Sequence, residues 1–208
     1  MSDSLLGRVD RYYSAKLAEH GASAQGVDWR DAESQQLRFV QLLRIAEHAS
    51  ELGILDYGCG YGALVDVLAA DSRPFRYVGY DVSAAMIAEA RRRHGDDERV
   101  SFVEREDELA PAAFVVASGV LNVRLDVPDD EWQTHARATI ERLAALSTRG
   151  FAFNALTSYS DADKMRPDLW YADPRELFDL CKRRYSRHVA LLHDYGLWEF
   201  TLLVRKDL

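Results

Sequence analysis

Only two cysteines, Cys59 and Cys181, occur in 208 residues. That excludes a disulfide-framed scaffold, and neither has the clustered partners a zinc site requires. Long apolar runs are missing as well: none approaches the roughly 20 residues that cross a bilayer. The segment MSDSLLGRVDRYYSAKL lacks the basic stretch followed by an apolar one that marks a signal peptide, so the expectation is a cytoplasmic protein with no membrane partner. Positive charge is also short. Twenty-six Lys and Arg against 34 Asp and Glu leave a net charge of −8, which argues against general binding of nucleic-acid backbones. Basic runs at 90–94 (ARRRH) and 181–187 (CKRRYSR) are interleaved with apolar residues at helical spacing and read as solvated helix faces. No internal repeat, low-complexity tract or Gly/Ser-rich linker is found, and 48% hydrophobic against 29% charged residues is the balance of an ordinary globular domain. The chain reads as one domain, 1–208.

What is present is a regular alternation. Residues 3–20 and 31–50 carry apolar side chains at helical spacing, with a Gly- and Ser-rich loop between them. From Gly53, short apolar strands (GILDY, RYVGYD, RVSFVE, AAFVVAS) alternate with helical stretches at 62–70, 83–94 and 129–147. GFAFNAL gives a fifth strand. The segment 156–173 is long and aromatic with little periodicity, and a helix opens at Asp173-Pro174. The run RHVALLHDYGLWEFTLLVRK gives two more strands joined by an Asp-Tyr-Gly turn. The fold expected is α/β: a seven-stranded, mostly parallel sheet flanked by helices and ending in an antiparallel hairpin strand.

The first strand runs into ILDYGCGYG, residues 54–62, which then opens a helix. Such a loop lies at the carboxyl edge of the sheet, where open α/β folds bind ligands. Gly58, Gly60 and Gly62 allow sharp turns and close approach of a ligand around Cys59. The degenerate dinucleotide pattern is also satisfied, with Ala63 last, so the glycines alone leave two cofactor classes open. Asp56 separates them. A pyrophosphate favours a helix N-terminus with no anion nearby, whereas a carboxylate beside the loop suits a cationic ligand group. A second acid, Asp81, ends the next strand nineteen residues after Gly62 and can accept hydrogen bonds from both hydroxyls of a ribose.

With these residues in place, the chain resembles the class I S-adenosylmethionine-dependent methyltransferases, whose first motif reads acid-x-Gly-x-Gly-x-Gly. The continuation DVSAAMIAEA resembles the family's second motif, and the resemblance covers nearly the whole chain. It implies S-adenosylmethionine as methyl donor, S-adenosylhomocysteine as product, and Val82 and Met86 beside the adenine. In SFVERED, Arg105 replaces the family's usual glycine, which leaves the adenine contact open between Glu106 and Asp107. Ser118 and Gly119, after the fourth strand, would lie beside the sulfonium. Residues 1–50 would form a helical lid, with Trp29 covering the cofactor and Arg38 pairing with its methionine carboxylate. The segment SGVLN is not the Asn/Asp-Pro-Pro-aromatic motif of base-methylating relatives, so nucleic acid is not expected as a partner.

Substrate-side candidates are Asn154 on the fifth strand and His193, Asp194 and Tyr195 at the end of the sixth, with His193 the candidate base. No metal site is expected. The reading is transfer of a methyl group to a hydroxyl or amine of a small molecule by a monomer or homodimer. Its rivals are a nicotinamide-dependent oxidoreductase and a cofactor-binding regulatory protein without turnover.

Overall fold

The computed structural model describes residues 4–207. Helix α1 (Leu5–His20) begins where the Ser4 hydroxyl accepts the Gly7 amide, and α2 (Ala32–Leu43) where Asp31 accepts Ser34. Both are ordinary N-caps, and each satisfies an amide that the first helical turn leaves without a partner. Strand β1 (Leu52–Tyr57), helix α3 (Ala63–Ala70), strand β2 (Phe75–Tyr80), helix α4 (Ala84–His94), strand β3 (Val100–Val103) and strand β4 (Ala112–Ala117) follow as the alternation foresees. Helix α5 (Asp129–Leu146) starts behind Pro128 with Asp129, Asp130 and Glu131 in its first turn, where their charge complements the helix dipole. The chain ends with β5 (Ser147–Thr157), β6 (Tyr171–Ala172), α6 (Pro174–Arg184), β7 (His188–Leu192) and β8 (Glu199–Arg205).

The sheet runs β3-β2-β1-β4-β5-β8-β7, with β8 antiparallel to both neighbours and every other pairing parallel. The order in which strands are added reverses between β1 and β4, so the loops leaving the carboxyl ends of these paired parallel strands diverge and leave a crevice between them. Successive residues of a strand face opposite layers. Leu55 and Leu202 join the core under α5 and α6, while Ile54 and Leu203 join the core under α2, α3 and α4.

The main path of the sheet has the seven strands expected, and a two-residue eighth is added beside it, where Tyr171 and Ala172 in the long 156–173 segment pair with Leu156 and Thr157. The β7–β8 connection is longer than an Asp-Tyr-Gly turn. It spans 193–198, since Glu199 and Phe200 are drawn into β5 and buried before the hairpin pairing begins at Leu192 and Thr201. Helix α2 stops at Leu43 and continues as a 3-10 turn over Arg44–Ala46.

Phe151 has no exposed surface, lies against Phe153 and meets the Tyr185 ring edge-on at 5.5 Å. Phe151→Ala should cost about 3–5 kcal/mol, seen in urea as a lower midpoint at unchanged slope.

Candidate active site

The crevice is a cleft with about 1020 Å³ of space between its walls, part of it open to solvent. Its floor is the β1–α3 loop. The amides of Gly58 and Cys59 both donate to the Tyr80 carbonyl, and the Gly60 amide donates to Asp81 Oδ2 at 2.8 Å. The other oxygen of Asp81 accepts the Ser83 amide at 2.9 Å. Asp81 therefore fastens the glycine loop to the end of β2 while keeping free lone pairs toward the cleft. Gly58 adopts φ +83°, and a Cβ there would lie 2.3 Å from Val120, so no other residue fits without rebuilding the loop.

Asp56 is 2% exposed and accepts the Tyr77 hydroxyl at 2.9 Å. Burial pushes its carboxyl up to about 7; the Tyr77 bond opposes that rise and the nearby Asp81 charge adds to it. Burial likewise raises Asp81 to about 6 against the pull of the Ser83 and Gly60 amides. In both carboxyls the ionised form is thus disfavoured by its surroundings, and an arriving cation would favour it in each. No Lys or Arg is among the lining residues. Burial raises the pKa of the Cys59 thiol, which lies against the Gly60 carbonyl, and favours its protonated form.

The remaining cofactor-side residues divide. Val82, Met86, Ser118, Gly119 and Trp29 line the cleft, and the buried Ser118 hydroxyl has no partner. Gly62 does not line it; it is the left-handed N-cap of α3, packed toward His94 and Phe102. Asp107 is exposed and paired with Arg105. Glu106 is half-buried, taking the Tyr57 hydroxyl at 3.1 Å and Arg142 at 2.8 Å, one hydrogen bond behind the cleft wall. Arg38 is buried too. Its Nε donates to Glu199 at 2.8 Å, its guanidinium stacks on the Trp29 ring at 3.8 Å, and it faces a second cavity beyond Trp29 instead of the cleft.

On the substrate side the geometry departs further from expectation. His193 and Asp194 are exposed in the long β7–β8 connection, with His193 near Tyr159 and Phe200, and neither lines the cleft or the cavity beyond Trp29. Tyr195 is turned inward toward Thr201. Asn154 is wholly buried; its Oδ1 accepts the Gly119 amide at 2.7 Å and its Nδ2 donates to Glu199 at 3.0 Å, so it braces the site from behind. Tyr159, Trp170 and Tyr171 do not line the cavities, whereas Tyr13 lines both.

Sequence reasoning passed over Tyr57, Tyr80, Gln35, Trp132, His135 and Thr139, all in the cleft wall. Tyr57 and Tyr80 end adjacent parallel strands, with rings 4.9 Å apart, and their place at the carboxyl edge was the available signal. The α5 residues gave none, because only the packing of α5 on β4 brings Trp132 and His135 round to the crevice. Among the described residues no group of three or more His, Cys, Asp or Glu stands together as a metal site, and no helix is long and apolar enough to cross a membrane.

The raised Asp56 carboxyl carries a stability consequence. The folded chain binds this proton more tightly than an unfolded one, whose carboxyl titrates near 3.8, so the contribution of Asp56 turns unfavourable as pH rises from 4 through 7. Asp56→Asn keeps an acceptor for Tyr77 and removes the charge. The variant should gain stability over the parent by about 2–4 kcal/mol at pH 8 but not at pH 4, measured by urea unfolding of the ligand-free proteins at both pH values.

A family model described as a methyltransferase domain matches residues 23–197. A curated protein of Mycobacterium tuberculosis, Rv1506c, whose name carries a provisional methyltransferase assignment, is 55% identical over 166 residues, 79% of this chain and 99% of its own length. Among solved structures, the DhpI–SAM–HEP complex superposes with a TM-score of 0.69 at 20% identity, covering 99% of this chain and all of that one. Human N-acetylserotonin methyltransferase in complex with SAM gives 0.68 at 16% identity, over the whole of this chain and 60% of its own. Magnesium protoporphyrin IX methyltransferase of Synechocystis, with SAM bound, gives 0.58 at 18%, over 84% and 80%. The structural likenesses bear on the fold, the family match and the mycobacterial relative on membership: the chain belongs to the methyltransferase domain family.

Proposed function

We propose that this methyltransferase carries a methyl group from S-adenosylmethionine to a hydroxyl or amine of a small molecule. One observation carries the donor side of that reading: the cleft at the sheet's switch point is lined by two carboxyls, buried Asp56 and partly buried Asp81, and by no Lys or Arg. An ammonium and a sulfonium find complementary charge there, and a pyrophosphate finds none. The residues present fit the donor. Gly58 and Gly119 leave room where a Cβ would collide with Val120 or Trp29, and Ser118 Oγ is buried without a partner. Asp81 would hold the ribose hydroxyls, Val82 and Met86 the adenine, and Asp56 with the Gly58–Gly60 backbone the amino-acid end.

When bound, this donor supplies a methyl group on an excellent leaving group. The protein's own task is therefore alignment and exclusion of water. Helices α1 and α2 with the segment between them serve as the lid: Leu6, Val9, Tyr13, Val27, Trp29 and Phe39 bring an apolar cover over the glycine loop. His193 is exposed and lines neither this cleft nor the cavity beyond Trp29, so the reading does without it.

Calorimetric titration with S-adenosylhomocysteine should show micromolar binding, and NADH in the same cell should show none; the reverse pattern would overturn the donor assignment. Asp81→Ala should weaken S-adenosylhomocysteine by about 1.5–3 kcal/mol, the scale of a hydrogen bond to a charged group. Unchanged affinity would remove Asp81 from the ribose.

A further inference from the structure

A second cavity, with about 530 Å³ between its walls, adjoins the cleft and shares Tyr13, Val27, Trp29 and Gly119 with it. Beyond those shared residues it is lined by Arg38, Asn122, Leu156, Arg166 and Leu169, together with Asp28 and Arg30. Two of these residues are buried polar groups with a hydrogen-bond donor left over. Arg38 is 7% exposed; its Nε is taken by Glu199, and its Nη1 has no partner. Asn122 is 4% exposed; its Oδ1 accepts the Leu156 amide at 3.2 Å, which fixes the amide's orientation, and its Nδ2 has no partner. Buried donors are seldom left unmade, because each forfeits its hydration.

The charges around the cavity do not compete for these donors. Asp28 takes the Tyr12 hydroxyl, Lys16 and Arg166; Arg166 also holds Asp168, and Arg30 holds Asp31. The cavity wall itself has three guanidiniums against one carboxylate, opposite in character to the cleft next door.

We propose that this cavity is the methyl-acceptor pocket and that acceptors enter it carrying an oxyanion, a carboxylate or phosphate group, held by Arg38 Nη1 and Asn122 Nδ2. The placement rests on the donor reading given above, since Gly119 and Trp29 form the boundary between donor and acceptor sides. Both free donors are N–H groups, and a guanidinium binds oxyanions more strongly than neutral oxygens. An ammonium-bearing acceptor has nothing in this wall to receive it except Asp28, which is already triply engaged.

The test is a titration of ¹⁵N-labelled protein with acetate, methyl phosphate and, as neutral control, acetamide, each with and without saturating S-adenosylhomocysteine. Both anions, or one of them, should shift the Trp29 indole and Gly119 amide signals in the saturated protein, with millimolar affinity appropriate to such small probes. Which anion binds more tightly assigns the carboxylate or phosphate class. Acetamide should bind at least about tenfold more weakly. Asn122→Asp keeps the acceptor for Leu156 and turns the free donor into an acceptor, so it should abolish the anion shifts while leaving S-adenosylhomocysteine affinity unchanged. Acetamide binding as well as the anions, or anion shifts surviving in Asn122→Asp, would overturn the proposal. Anions that bind the free protein and are expelled by S-adenosylhomocysteine would also overturn it, by giving Arg38 to the donor's carboxylate. Failure of S-adenosylhomocysteine itself to bind would instead count against the donor reading, with the anion titration of the free protein and of Asn122→Asp still deciding the pocket.

Discussion

The carboxylate of Glu199 is 1% exposed and is held from two sides, by Arg38 of α2 and by Asn154 of β5. Burial raises its pKa against the opposing pull of the Arg38 guanidinium and the Asn154 amide. A buried ion pair of this kind is weak support for stability by itself, since desolvating both charges offsets most of their attraction. Its value here is positional. Removing either partner would strand a charge in the interior, so α2, β8 and β5 are locked at one mutual distance. Asn154 extends the lock to the loop after β4 by accepting the Gly119 amide, and Arg38 extends it to Trp29 by stacking. The wall between the two cavities hangs from this one carboxylate.

That dependence explains which parts of the site could be read from the chain. The glycine loop, Asp56 and Asp81 are local: a strand end, a turn and a helix start fall within a few residues, and the chemistry follows from backbone geometry and one acid apiece. The mostly parallel sheet and its closing antiparallel hairpin were likewise visible in the alternation of apolar runs, though the order of the strands was not. Glu199 was not, because nothing near it in the sequence says that Arg38, 161 positions earlier, will meet it. Without that pairing Arg38 looked like a partner for the donor's carboxylate. His193 failed for a related reason. Its place after β7 aims it at the carboxyl edge, but β7 is the outermost strand of the sheet, and β8 stands between it and the crevice. Distance across the sheet, invisible in a linear pattern, outweighed direction along it.

The long segment 156–173 shows the same limit from the other side. Its aromatic residues drew attention, yet Trp170 is buried, and its amide holds the Asn122 carbonyl at 2.8 Å. Trp170 keeps the segment in place, Tyr159 is exposed, and Leu156, Arg166 and Leu169 are what the segment presents to the second cavity. Size and apolarity make a side chain a good anchor, and an anchor is by that fact unavailable to a ligand.

The two cavities thus meet at a boundary of one glycine and one indole, with opposite electrostatics on either side. Gly119 has φ +75°, and a Cβ on it would lie 2.5 Å from the Trp29 ring, so the wall is as thin there as a polypeptide can make it. In-line transfer needs donor methyl and acceptor atom in direct contact, so on the proposed reading the two ligands would have to meet at the edge of this boundary, between a side that favours cations and a side with free N–H donors. Placing carboxyls on one side and guanidiniums on the other would pull the approaching charges apart if they shared one solvent-filled space. Apolar residues shared by both cavities, Tyr13, Val27 and Trp29, lower the local dielectric, which strengthens attraction across the boundary, so what keeps the two sets of charges apart is the packing of these residues. The separation of the two fields is therefore a product of packing, and the packing is fixed by the buried pair behind it.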